Sequence, residues 1–342
     1  MGHAGMTTIA PMEALLAAKL PDGDGWQYEP KWDGFHCIAR RSRDTVVLCS
    51  KSGKPLGRYF PEVVEMFERL HATTFTIDGE LLIDRDGELS FDALQMRLHP
   101  AESRVRKLAA ETPAMFMAFD LLDLGRTRLR FKQLSERRRA LEQMLVAETE
   151  PALHLSPATT DERAALDWLD RTGGALDGVI AKRLDEPYRP GERAMVKVKQ
   201  RRTADCVVGG FRYGKGSKLV GSLLLGLYCD DGLLHHVGFT SSIAASERDE
   251  WTSELEKIAD GPGFTGNAPG GPSRWSTERS SKWQPLQPKL VVEVLYDQVT
   301  GRRFRHGTKL LRRRPDKTPR QCTMEQLRHP LTPAELAQLL PR

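Results

Sequence analysis

The stretch from Ala114 to Leu122 constrains this chain most, because every position in it except Asp120 is apolar. A strand with apolar side chains on both faces has to be covered on both, so it belongs inside a sheet with packing layers on either side. Neighbouring segments supply those layers. Val46 to Cys49, Phe75 to Ile77 and Leu81 to Ile83 read as further strands. The helical spacing of Val63, Val64, Phe67 and Leu70 predicts a helix over 61–70. A second is predicted from Ser135, taken as its N-cap, with Leu141 and Leu145 facing inward. A third is predicted over 160–169, ending before Gly173 and Gly174.

The polar, basic run from Lys199 to Thr203 reads as a linker, and 342 residues exceed what one core comfortably serves. Two domains are therefore expected, residues 1–200 and 201–342. Beyond the linker, five runs read as strands (206–211, 223–229, 233–240, 290–296 and 305–311), with one amphipathic helix over 246–258. That pattern fits a small Greek-key barrel of the OB type, and a plain β-sandwich nearly as well. Gly261 to Pro272 reads as a flexible loop.

Composition narrows the class of protein. No apolar run approaches the roughly 20 residues that span a bilayer. The start of the chain lacks a basic segment followed by a long apolar core, so neither membrane insertion nor a signal peptide is expected. Cys37, Cys49, Cys206, Cys229 and Cys322 are scattered without a Cys-x-x-Cys pair. That argues against a zinc site or a disulfide framework and suits a reducing cytoplasm. The net charge of +5 is uneven: residues 201–342 hold 22 Lys and Arg against 15 Asp and Glu, while residues 1–200 are net negative by 2. Such an excess suits polyanion binding, and equally an ordinary solvated face.

The chemistry concentrates at Glu29-Pro30-Lys31-Trp32-Asp33-Gly34. A lysine beside Trp32 and Asp33, with a glycine to let a ligand approach, has a nucleophile's setting. An ammonium has a reference pKa of about 10.4, so Lys31 needs nearby cations or desolvation to lose its proton. Further lysines, and a metal, should converge on it. Asp78-Gly79-Glu80 lies between two strand-like runs, and Phe119-Asp120 closes the apolar strand. Asp177 and Lys182 stand at opposite ends of one short strand; their offset of five sends them to opposite faces unless a bulge intervenes. Lys197 and Lys199 share a strand face with no acid between them and require an anion, such as a triphosphate. Singly, each pattern also occurs in surface turns and solvated strand edges.

Together and in this order, these motifs resemble the covalent nucleotidyltransferases (DNA ligases, RNA ligases and capping enzymes) and most of all the ATP-dependent DNA ligases. The likeness continues through Tyr59-Phe60-Pro61-Glu62, Phe91 with Leu94-Gln95, Phe119 to Leu122, Glu136-Arg137-Arg138 with Leu141, and Pro288 to Val294. It covers nearly the whole chain and is nearest to the small two-domain type C ligases of actinobacteria. The resemblance implies an α+β fold: an adenylation domain of antiparallel sheets and helices, followed by an OB-fold barrel. It implies that Lys31 attacks the α-phosphate of ATP to form a lysyl-AMP, with Mg²⁺ or Mn²⁺ present. Glu29 would help recognise adenine, Phe119 would stack on it, and Glu80 would engage the ribose. Asp177 would bind the metal, with Glu80 as a second ligand, and Lys182, Lys197 and Lys199 would contact phosphates. Asp316 and Lys317, in an Arg-x-Asp-Lys motif begun by Arg314, would reach the pyrophosphate when the second domain swings about a hinge at 200–203. Arg302, Arg303, Arg305, Lys309 and Arg312 would contact the phosphates of nicked duplex DNA. A monomer is implied, with a repair polymerase or an end-binding protein as the class of partner.

Three positions depart from the family pattern. His36 stands where an arginine is frequent, Lys51 replaces the arginine of a Ser-Arg pair that contacts the nucleotide, and Asp177 replaces a glutamate one methylene longer. Other activities share parts of the motif set. A capping guanylyltransferase would use GTP, an RNA ligase would seal RNA by the same chemistry, and a non-enzymatic OB-fold protein would only bind nucleic acid. The Glu29-Pro30 lead-in and the ligase-like text through Glu136 to Lys182 favour the DNA ligase.

Overall fold

The computed structural model describes residues 9–85, 88–171, 176–199, 202–270, 282–297, 299–300 and 302–327. Two compact units part between Gln200 and Arg201. Strand already begins at Arg202, so Arg202 and Thr203 are not linker. Gln200 and Arg201, Gly173 and Gly174, the end of the 261–272 loop and the chain past Leu327 lie outside the described residues.

Among the described residues the first unit has ten strands: β1 (Ala14–Ala17), β2 (Trp26–Trp32), β3 (Phe35–Ser42), β4 (Thr45–Ser50), β5 (Thr74–Arg85), β6 (Glu88–Leu89), β7 (Ala114–Leu124), β8 (Leu153–Leu155), β9 (Leu176–Arg183) and β10 (Met195–Val198). Its helices are α1 (Pro61–Arg69), α2 (Phe91–Arg97), α3 (Glu102–Glu111), α4 (Leu134–Val146) and α5 (Glu162–Arg171). One sheet runs β4-β3-β5-β7-β8, with β6 on β5, and the other runs β1-β10-β9-β2. The apolar strand β7 lies inside the first sheet, as its composition requires. Phe116 from β7 meets Phe67 of α1 edge-to-face at 5.0 Å, in a core shared with Phe60, Phe75, Ile77 and Leu141.

Two local expectations differ. The runs at 75–77 and 81–83 are one strand, β5, because Asp78 and Glu80 sit in the ladder and turn their side chains to a polar site instead of breaking the sheet. Helix α4 begins at Leu134, with Gln133 at the cap position, so Ser135 is within the first turn. The amides of Leu134 and Ser135 donate to the carbonyls of Glu186 and Leu184, a distant segment doing what a capping side chain does locally.

The second unit contains β11 (Arg202–Tyr213), β12 (Val220–Tyr228), β13 (Leu234–Thr240), β14 (Gln284–Pro285), β15 (Val291–Tyr296), β16 (Val299–Thr300), β17 (Arg303–Phe304), β18 (Lys309–Arg313) and the helix α6 (Arg248–Glu256). The long strands follow the order β13-β12-β11-β15-β18. A parallel bridge between Thr240 and Thr308 joins the two outer edges. A five-stranded sheet closed by one parallel contact is an OB-type barrel, not a two-sheet sandwich. Its interior holds Val207, Phe211, Leu223, Leu225 and Val292, with Trp251 and Leu255 entering from α6. The last strand starts at Lys309 and not at Arg305, because Arg303–Phe304 pairs back on β16. Among the described residues no helix is long and apolar enough to cross a membrane.

Candidate active site

Strand alternation builds the site. Along β2, Tyr28 and Trp32 turn into apolar cores, and the Trp32 indole N–H donates to Ser156 Oγ at 2.9 Å. Glu29 and Lys31, two residues apart, therefore share the other face. Gly34 has a different reason from the one its sequence suggested. A Cβ there would lie 2.2 Å from the Leu81 carbonyl oxygen, so the close approach that requires glycine is to β5, not to a ligand. Its freed amide donates to Glu80 Oε1 at 3.1 Å.

The offset of five between Asp177 and Lys182 is resolved by a bulge. Lys31 and Trp32 of β2 pair with Gly178 and Leu176 of β9, leaving Asp177 as the extra residue. Gly178 takes φ +139° with its Cα against β10, where a Cβ would be 2.0 Å from the Val198 carbonyl oxygen. The bulge aims Asp177 at Lys31, with Nζ 2.7 Å from Oδ2. Lys182 reaches the other end of the same β2 face, its Nζ 2.7 Å from Glu29 Oε2. Lys199 shares the Asp177 carboxylate, 2.8 Å from Oδ2. Burial alone would lift the Asp177 carboxyl, but Lys31 and Lys199 hold it below the usual range.

Glu29, Lys31, Lys51, Glu80, Phe119, Lys182 and Lys197 all line one cavity of about 200 Å³. Glu29 and Lys182 are 2% and 4% exposed, and Gln27 Nε2 donates to the second Glu29 oxygen at 2.7 Å. The Lys182 ammonium lies 4.8 Å from the Phe119 ring centroid. Lys182 thus sits beside Glu29 and Phe119. Lys51 pairs with Glu13 at 3.0 Å. Burial, with Lys31, Lys199 and Lys51 nearby, pushes the Lys197 pKa down.

On β5, Glu80 is raised to about 7 by burial, against the lowering pull of His36, Lys31 and the Gly34 amide. The half-buried Glu80 carboxylate offers oxygen donors, as Mg²⁺ or Mn²⁺ prefers. Asp177 offers the same donor type, although both its cationic neighbours are lysines here. His36 Nε2 lies 2.7 Å from Asp78 Oδ1, and Asp78 Oδ2 accepts from the Tyr188 hydroxyl at 2.7 Å. The Met12 amide donates in turn to the Tyr188 oxygen at 2.8 Å. Burial opposes charge on His36, yet Asp78 and Glu80 keep its pKa above the ordinary value. His36 therefore lines the cavity as an acid-paired group, where the family pattern often has arginine. Tyr188 and Met12 were not anticipated, since 110 and 176 residues separate the bonded partners and no local motif marks them.

Known protein families match both units. Residues 11–199 match the model of the ATP dependent DNA ligase domain, and residues 216–317 match that of the ATP dependent DNA ligase C terminal region. The chain belongs to the ATP-dependent DNA ligases. It is 45% identical to DNA ligase C1 of Mycolicibacterium smegmatis, over 94% of each chain. It is 43% identical to DNA ligase C of Mycobacterium tuberculosis, over 98% of each. A solved Lig E DNA ligase, described as binding DNA with a minimal scaffold, shares the fold with TM-score 0.54 and 19% identity. That match covers 89% of this chain and all of that one.

The remaining residues named from sequence lie in the second unit of the ligase. Arg314 Nη1 and Lys317 Nζ both bind Asp205, at 2.7 and 2.9 Å, and Arg314 also holds Asp316. Arg302 and Arg303 are exposed at the β16–β17 hairpin. The Arg303 guanidinium lies 3.2 Å from His236 Nδ1, whose pKa burial and the adjacent arginines push down to about 3. That neutral ring can accept from Arg303 and leave its charge outward. Lys309 is exposed and Arg305 half-buried. Arg312 is bonded to Glu293 at 2.6 Å, with its own side chain exposed.

Proposed function

We propose that this ligase seals nicks in duplex DNA through a lysyl-AMP formed on Lys31. The supporting observation is the single β2 face that carries Glu29 and Lys31, with Lys182 and Phe119 at one end and Asp177 with Lys199 at the other. In this reading the adenine stacks on Phe119, and the Glu29–Lys182 pair borders it. The triphosphate extends toward Lys31, where Lys197 and Lys199 offset its charge. Asp177 Oδ2, 2.7 Å from Lys31 Nζ, orients the nucleophile, whose ammonium proton leaves to water. The Nζ lone pair then forms the bond to the α-phosphorus, and the bond to the bridging oxygen breaks as pyrophosphate leaves. Glu80 and Asp177 would hold Mg²⁺ or Mn²⁺, which offsets charge on the phosphates. The AMP passes to the 5′-phosphate of the nick, and the 3′-hydroxyl displaces it to close the backbone.

The substrate in this reading is nicked DNA, bound by a monomer through Arg302, Arg303, Arg305 and Lys309. A repair polymerase or an end-binding protein is the expected class of partner. The test is sealing of a 5′-phosphorylated nick with ATP, GTP and NAD in parallel, beside Lys31→Ala. Sealing with ATP alone, abolished in the variant, is expected. A protein that forms lysyl-AMP yet seals only RNA would overturn the substrate assignment.

A further inference from the structure

Asp205 is a buried acid that no step above uses. It lies on β11, opposite Glu293 of β15, and Glu293 in turn stands opposite Arg312 of β18. Register partners point to one face of a sheet, so two carboxylates sit side by side there and need cations. The final basic motif supplies them. Arg314 Nη1 donates to Asp205 Oδ1 at 2.7 Å, and Lys317 Nζ lies 2.9 Å from Asp205 Oδ2. The rest of the Arg314 fork is turned to Asp316, with Nε 3.0 Å from Oδ1 and Nη2 2.8 Å from Oδ2. One carboxylate therefore fixes Lys317 directly and Asp316 through Arg314.

The carboxylate itself is held on both sides of its own backbone. The Asp205 amide donates to Gln326 Oε1 at 3.0 Å, and Gln326 Nε2 donates to the Asp205 carbonyl at 3.2 Å. Its side chain is 9% exposed, whereas those of Lys317 and Asp316 are 33% and 60% exposed. A rigid buried acid thus holds two solvent-facing groups. Arg314 has every donor group of its fork committed to Asp205 or Asp316, while an ammonium bonded to one carboxylate oxygen keeps donors free for a ligand. The three motif residues therefore differ in what they can do. Arg314 transmits position, and Lys317 and Asp316 present it.

We infer that Asp205 is the positioning residue of the last motif, setting Lys317 and Asp316 in place for the ATP-dependent first step. This rests on the reading that Asp316 and Lys317 act on the pyrophosphate during lysyl-AMP formation and not afterwards. Ordering two long side chains in advance removes an entropic cost from the transition state. Losing the order slows the first step alone.

The experiment measures two rates in the full chain: lysyl-AMP formation from ATP in a single turnover, and sealing of a nick that already carries AMP on its 5′-phosphate. Asp205→Asn keeps the shape and the Gln326 contacts but drops the charge. It is expected to slow lysyl-AMP formation at least tenfold and to leave pre-adenylylated sealing within twofold. Lys317→Ala is expected to slow the first step more, and Asp205→Asn combined with Lys317→Ala no more than Lys317→Ala combined with Arg314→Gln, because the effects run through shared residues. If Lys317→Ala slows lysyl-AMP formation while Asp205→Asn does not, the positioning role is overturned and the motif's role stands. If Lys317→Ala leaves the first step unchanged, the reading beneath it fails. Equal loss in both steps marks general structural damage and overturns the inference. Should Asp205→Asn not fold, Arg314→Gln cuts the link to Asp316 near the surface and carries the same expectation and the same refutation.

Discussion

Replacing Lys182 by methionine tests the buried pair at the heart of the cavity. The change preserves most of the side-chain volume but removes the ammonium that lies 2.7 Å from Glu29. Glu29 is 2% exposed and would keep only the Gln27 amide as a partner. Stranding one charge of a buried pair costs about 3–5 kcal/mol. For a unit of this size, each kcal/mol moves the melting temperature by roughly 2–4 °C, so a fall of roughly 6–20 °C is expected at pH 8. Adding Glu29→Gln removes the stranded charge and should restore part of the loss. Thermal and urea unfolding at pH 8 read both changes. A variant within about 1 kcal/mol of the parent at pH 8, or a double variant no more stable than Lys182→Met, would show that the pair is not energetically buried.

Two further outcomes follow from the same cavity. Glu80, raised to about 7 by burial, binds a proton in the folded state that the unfolded chain releases near 4.3, so stability falls as pH rises from about 4 to 7. Glu80→Gln should then raise stability at pH 8 by up to about 3 kcal/mol while losing lysyl-AMP formation; a melting temperature below the parent's at pH 8 contradicts this. Phe119→Ala should raise the KM for ATP by about 5- to 100-fold, the equivalent of about 1–3 kcal/mol of base stacking. The rate at saturating ATP should fall less, and an unchanged KM measured by lysyl-AMP formation would remove the ring from the binding site.

The local part of the site was legible in the sequence. Lys31 and Glu29 share a face because side chains along a strand alternate, and Lys197 is on the cavity wall for the same reason. The apolar run through Phe116 became a central strand because nothing else satisfies two apolar faces. Motif order gave the family, since each short pattern is ambiguous but their sequence is not.

Tertiary structure decided what alternation cannot. Asp177 meets Lys31 only because β9 carries a bulge opposite β2, and the sequence could state that condition without fulfilling it. Lys182 pairs with Glu29, 153 residues away, because that buried carboxylate needs a cation. The Tyr188–Asp78–His36 chain, the closure of the barrel at Thr240 and Thr308, and the hold of Asp205 on the last motif are likewise matters of register between distant strands. Side-chain direction is fixed by the residue's own backbone and travels with the sequence. A partner is fixed by which strand edge or buried charge remains unsatisfied once the chain has packed, and that is known only when it has.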